Sequence, residues 1–208
     1  MHYVSILFGI ATVQLLAAAS PGPTFIIVSR YSIGESRRRG LLVVVGVLAA
    51  DLIWAIMVAS GLSVVILRYP AAYTVLQIAG AAYLIWLGGR ILLSAMRKQD
   101  GVRIEGGPAS TSARQTIRDG FLANMINPKS MAYYTSLFVV MIPQEPPVWL
   151  FAAVVATALL VSAGWWIVVA LFFTVPPVRR VYERARRSIE AVMGGVLVCL
   201  GLRMALSR

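Results

Sequence analysis

Two residues of this chain carry charge where charge is expensive. Asp51 stands ten residues beyond Leu41 and Lys129 eleven beyond Arg118, each inside an apolar run. If the runs are helices, a rise of about 1.5 Å per residue puts both groups about 15 Å in, near the middle of a hydrocarbon layer of about 30 Å. A charge at that depth costs about 2.5–3.5 kcal/mol on insertion scales, so neither side chain belongs against lipid. Lys129 suits the capture of a carboxylate, and Asp51 suits the exchange of a proton or the capture of an ammonium. Together they would hold a molecule bearing both charges. The bland alternative is a static Asp51–Lys129 ion pair joining two helices. Buried pairs often fail to recover their desolvation cost, which makes such a pair a weak device for stability alone.

Two helix breakers interrupt apolar runs, and Lys129 belongs to one of them. Ser20-Pro21-Gly22-Pro23 interrupts the first apolar run and Asn127-Pro128-Lys129 interrupts a later one. Proline lacks an N–H and clashes with the turn before it, so each motif frees backbone polar groups that hydrocarbon cannot satisfy. Those groups must face protein, water or a polar ligand. A plain packing kink is the competing explanation, since proline and glycine are commoner in membrane helices than in soluble ones. Asn124, Asn127, Gln14 and Ser20 offer neutral hydrogen bonds nearby, to a ligand or equally to neighbouring helices. Tyr83 stands in another apolar run, as pathway lining or as packing. The five tryptophans read as interface anchors or packing.

The elements that must position these groups follow from composition. The 208 residues are 59% hydrophobic and 13% charged, with mean hydropathy +0.81, against about 45–50% and about 25% in ordinary globular domains. Six stretches reach the roughly 20 residues a membrane helix needs: 4–28, 41–67, 71–94, 118–142, 147–173 and 189–206. The expected fold is therefore all-α, a polytopic membrane protein of one domain spanning 1–208. Its first repeat is 1–94, its linker 95–117 and its second repeat 118–208. Only His2 precedes the first apolar run, so the basic start of a cleavable signal is missing and a retained first helix is expected. One cysteine, Cys199, permits no internal disulfide.

The net charge of +11 is a topology signal. Four arginines lie between the first and second stretches, six basic residues from Arg90 to Arg118 at the junction of the third and fourth, and five arginines between the fifth and sixth. The positive-inside rule makes those three connections cytoplasmic and turns both termini outward. Nucleic-acid binding is not expected from this pattern. No Cys/His cluster and no phosphate loop followed by lysine occurs, so neither an enzyme site, a metal nor a nucleotide cofactor is expected.

Two halves share signals. Leu84-x-x-Leu87-Gly88-x-Arg90-x-x-Leu93 recurs as Leu197-x-x-Leu200-Gly201-x-Arg203-x-x-Leu206, five identities at identical spacing. The two breaks fall in the first and fourth stretches, which are counterparts. With three spans per half, equivalent helices cross in opposite directions, the arrangement of inverted repeats in secondary transporters, where paired Gly/Pro interruptions mark a midplane site. Small residues such as Gly80, Gly88, Gly194 and Gly195 suit close helix contact within a chain or in a homo-oligomer.

On these residues the chain resembles the LysE/RhtB exporters of bacterial amino acids. The likeness runs through Ser20-Pro21-Gly22-Pro23, Gly40-Leu41 with Gly46 and Asp51, Gly61-Leu62, Gly80-Ala81-Ala82-Tyr83-Leu84, Gly120-Phe121-Leu122 with Asn124, Asn127-Pro128-Lys129, and Pro143-Gln144. It implies a bacterial cytoplasmic membrane protein that exports an amino acid or a close derivative, driven by proton antiport, with the two signature motifs forming the pathway. The basic first loop and Glu145 after Pro143-Gln144 depart from the pattern and leave the substrate open. A cation or metal exporter or channel of the same superfamily, with Asp51 as ligand, and a non-transporting bundle with kinked helices are the alternatives.

Overall fold

The computed structural model describes residues 2–68, 70–96, 112–142 and 147–206. Most of the expected linker, residues 97–111, and the segment 143–146 that carries Pro143-Gln144-Glu145 lie outside the described residues. Eight helices form among the described residues: α1 His2–Ala19, α2 Pro23–Gly34, α3 Arg37–Arg68, α4 Pro70–Met96, α5 Ala113–Met125, α6 Pro128–Met141, α7 Val148–Phe172 and α8 Pro176–Leu206. Helix is the only element that lets an apolar segment satisfy its own backbone away from water. Proline opens α2, α4, α6 and α8, where its missing N–H is an orphan anyway and its fixed φ suits the first turn. Ser112 caps α5 by accepting from the Gln115 backbone N–H at 3.2 Å.

By length and composition α3 over Arg37–Gly61, α4 over Ile78–Met96 and α7 can each cross a membrane, and α1 with α2 forms a fourth candidate bent by 62°. The expectation of six spans meets two complications. The fourth stretch is split into α5 and α6, of 13 and 14 residues, each too short to span alone. The sixth is the second part of the 31-residue α8, whose first part carries five arginines.

Backbones approach closely at two glycine seams. A Cβ on Gly46 would overlap the Ile117 carbonyl oxygen, and one on Gly120 would overlap that of Val43, so α3 and α5 touch main chain to main chain. Between α4 and α8, a Cβ on Gly88 would lie 2.6 Å from the Gly194 oxygen, and one on Gly201 would lie 2.8 Å from that of Ala81. α7 packs on α3 and α1. Two apolar clusters result, one around Ile10, Leu84, Leu137, Leu150 and Leu197, the other around Phe25, Val28, Val43, Val169 and Phe173. Asp51 stands one helical turn from Val47 of the second cluster and one turn from Ala55 of the first, and is 4% exposed. Outward, Val4, Phe8, Val45, Ile56 and Leu160 are exposed, as lipid-facing side chains would be.

The seams generate a prediction with an internal control. Gly46→Ala or Gly120→Ala must push α3 from α5 and should destabilise by about 1–3 kcal/mol or more. Gly89 has open space around its Cβ position, so Gly89→Ala should be neutral or stabilising by up to about 1 kcal/mol. Thermal unfolding of the detergent-purified variants separates the two cases.

Candidate functional site

The first break can be followed carbonyl by carbonyl. In a helix each N–H donates to the carbonyl four residues back. Pro21 has no N–H, which strands the Ala17 carbonyl, and Pro23 strands that of Ala19. Both orphans are met by side chains from the other half of the chain. Lys129 Nζ donates to Ala17 O at 3.2 Å and to Ser20 O at 3.3 Å. The Tyr182 hydroxyl donates to Ala19 O at 2.7 Å. Gly22, extended at φ −162° and lacking a side chain, caps α2, and the Lys129 Nζ passes 3.9 Å from where a Cβ would stand. Backbone bonding resumes at once, with Ile26 N–H donating to Gly22 O at 2.9 Å.

The second break uses different means. Asn127 caps α6 by accepting from the Lys129 N–H at 3.0 Å, with Pro128 in the first turn. This cap fixes the direction in which the chain leaves for Lys129. The breaks are also tied side chain to side chain: Asn127 Nδ2 donates to Thr24 Oγ1 at 3.3 Å, and Thr24 Oγ1 donates to Asn124 Oδ1 at 3.1 Å.

Asn124 is the node of the network. Its Oδ1 also accepts from Ser130 Oγ at 2.7 Å, while its Nδ2 donates to Val47 O at 3.1 Å and to Asp51 Oδ1 at 2.8 Å. The other Asp51 oxygen accepts from the Ser162 hydroxyl, and the Tyr134 hydroxyl lies against the same carboxyl. Gln14 Nε2 in turn donates to Tyr134 Oη at 3.4 Å. No cation stands within ion-pair distance of Asp51 among the described residues, and the static Asp51–Lys129 pair is not formed. The carboxyl is held by neutral donors and the ammonium by carbonyls.

Two cavities flank the breaks. The smaller, about 50 Å³, is lined by Gln14, Ser20, Gly22, Asp51, Asn124, Asn127 and Lys129 together with Thr24, Ser130, Tyr133, Tyr134, Ser162 and Trp166. Gln14 Oε1 and Tyr133 Oη are buried there without a protein partner, which makes the space polar and roomy enough for a few waters. The larger, about 590 Å³, is lined by Pro21, Tyr83, Trp86, Arg90, Arg186 and Glu190 among others. Ser20 and Lys129 line both, so Lys129 stands in the partition between them.

Seven of the residues singled out from sequence thus surround one cavity, whereas Tyr83 and Pro21 face the other. Thr24, Ser130, Ser162 and Tyr134 were not anticipated, because a hydroxyl in a membrane helix more often bonds its own backbone, as Ser60 does with Ile56 O at 2.7 Å. Glu190 had a legible signal. It is the one acid inside the sixth apolar stretch, obscured by standing next to the arginine run.

Removing the donor at an orphan carbonyl should be costly. Tyr182→Phe leaves Ala19 O buried without its bond and should lower stability by about 1–3 kcal/mol. The thermal unfolding midpoint of the purified variant measures the loss, and an unchanged midpoint would show that the carbonyl finds another donor.

The family model described as LysE type translocator matches residues 15–208. A threonine efflux protein of Salmonella typhi is 28% identical over 201 residues, 97% of this chain and 98% of that protein. The threonine efflux protein of Escherichia coli (strain K12) is 27% identical over 199 residues, covering 96% and 97%. A leucine efflux protein of Enterobacter sp. (strain 638) is 29% identical over 120 residues, covering 57% and 55%. No solved structure matches.

Proposed function

Because the chain belongs to the LysE type translocator family, we propose that it exports an amino acid or a close derivative across the bacterial cytoplasmic membrane by proton antiport with alternating access. Relatives named for threonine and leucine efflux support a small amino-acid substrate. In this reading the α1–α2 pair, α3, α4, the α5–α6 pair, α7 and α8 are six spans in two inverted repeats, with the basic ends cytoplasmic and both termini outward.

Helix pairing supports the repeats. The shared block equates Gly88 with Gly201 and Ala81 with Gly194. The close contacts are Gly88 with Gly194 and Gly201 with Ala81, a reciprocal pattern of the kind a two-fold axis generates. Likewise α3 packs on α5 while its counterpart α7 packs on α1.

The observation that carries the reading is Lys129, from the second break, donating to two carbonyls at the first. An ammonium has three donors. Two are spent on Ala17 and Ser20, and the third is available to a substrate carboxylate. A carboxylate is a stronger acceptor than either carbonyl, so its arrival draws Lys129 off the first break and loosens the tie between the halves. Asp51 supplies the proton step. Protonation turns one of its acceptor oxygens into a donor, and Asn124 or Ser162 must then turn away. Asn124 also accepts from Thr24 and Ser130, so its reorientation reaches both breaks. The donors around Asp51 aim hydrogens at it, an arrangement that favours a carboxyl exchanging protons over a ligand for a metal cation.

Reconstituted in liposomes, the protein should move labelled L-threonine or L-leucine against an imposed proton gradient. Lys129→Ala should cut the rate by about tenfold or more, the value of a charged hydrogen bond. Asp51→Asn should abolish gradient-driven movement while sparing substrate exchange at equilibrium. Normal gradient-driven transport by both variants would overturn these roles, and no amino-acid movement by the unaltered protein would overturn the function.

A further inference from the structure

The smaller cavity has room for a few waters only, and both Asp51 oxygens are already engaged. A zwitterion does not fit there in this conformation. The larger cavity, about 590 Å³, lies within the 300–1,000 Å³ typical of small-molecule sites. It also contains the second buried carboxylate, since Glu190 is 5% exposed. Glu190 Oε1 accepts from Arg186 Nε at 2.9 Å, one helical turn earlier. As a helix staple this pair is poorly placed. The acidic residue follows the basic one, the less stabilising order for an i,i+4 pair, and burying the pair adds a desolvation cost. One guanidinium bond leaves a carboxylate, with about four acceptor sites, able to take another donor.

The remaining wall suits the rest of an amino acid. Lys129 enters from the partition and presents its third donor. Trp86 and Leu87 supply apolar surface, and the Arg90 guanidinium lies 5.1 Å from the Trp86 ring centroid. We propose that this cavity is the loading site for the zwitterionic substrate, in which Glu190 takes the α-ammonium and Lys129 the α-carboxylate before the substrate passes the breaks. The proposal rests on the amino-acid export reading and divides the carboxylates: Glu190 meets substrate, and Asp51 meets protons.

The test measures binding to purified protein by competition against labelled L-threonine, using two probes that each lack one charge. These are 3-hydroxybutyrate, without the ammonium, and 1-aminopropan-2-ol, without the carboxylate. The unaltered protein should bind each at least about tenfold more weakly than L-threonine, the value of a charged hydrogen bond. Glu190→Gln should weaken L-threonine about tenfold and bring it level with 3-hydroxybutyrate, while Glu190→Asp retains the preference for the ammonium. Equal binding of L-threonine and 3-hydroxybutyrate by the unaltered protein would overturn the proposal, as would an undiminished ammonium preference in Glu190→Gln. A second measurement, independent of the folding of Glu190→Gln, uses Ser94→Cys, on the cavity wall, in a Cys199→Ser background. L-threonine should slow its reaction with a maleimide about tenfold at saturation, and no protection overturns the site. Proteoliposomes that move L-threonine while failing these tests would sink the loading site alone. Proteoliposomes of the unaltered protein that move no amino acid would sink both readings.

Discussion

A proline inside an apolar helix deletes a donor and leaves the acceptor four residues earlier without its partner. In water that acceptor is satisfied by solvent; in hydrocarbon it must find a protein donor or the structure loses several kcal/mol. Pro21 and Pro23 create two such acceptors two residues apart, at Ala17 and Ala19. Lys129 answers the first, and the first break's Ser20 carbonyl with it, while Tyr182 answers the second. Both donors come from the opposite half of the chain. The defect in one half therefore dictates how the other half must dock. This explains why a lysine is tolerated at such depth, since its ammonium donates to two carbonyl dipoles.

Asp51 and Lys129, which look like natural partners by sequence, take separate environments for the same reason. The Ala17 and Ser20 carbonyls hold Lys129 at the first break, and the hydrogens of Asn124 and Ser162 hold Asp51 apart from it. With Lys129 spent on the backbone, Asp51 is surrounded by amide and hydroxyl hydrogens, and Asn124 uses both ends of its amide to join α3 to α2 and α6. Neutral donors of this type can rearrange around a proton without leaving a buried charge uncompensated, which a lysine partner would not allow.

The helical class and the positions of the two interruptions were legible, and Asp51, Lys129, Asn124 and Asn127 stood out because each violates a strong rule: charge, proline or amide in an apolar run. The hydroxyl groups of Thr24, Ser130, Ser162 and Tyr134 violate nothing, so only coordinates could gather them. The Asp51–Lys129 pairing suggested by equal depth is not formed, because depth along a helix says nothing of the direction in which a side chain leaves it. Tyr83 was singled out from sequence as pathway lining or packing, but not as a neighbour of Trp86, 5.6 Å between ring centroids, at the larger cavity. The split of the fourth stretch into α5 and α6 was written in Asn127-Pro128, an amide cap followed by a first-turn proline. Glu190 was hidden by the arginines beside it.

The α4–α8 contact differs in kind from everything around the breaks. Where Gly88 meets Gly194 and Gly201 meets Ala81, the glycines let the two backbones approach closely, with Val198, Leu92 and Ile85 packed beside them. Such a junction has almost no rotameric slack, so it behaves as a stiff strut. The links between the halves at the breaks are single hydrogen bonds that a competing acceptor can exchange. The α3–α5 contact at Gly46 and Gly120 is a junction of the same stiff kind, so in the export reading proposed above the exchange of donors at the breaks is where the two halves can part.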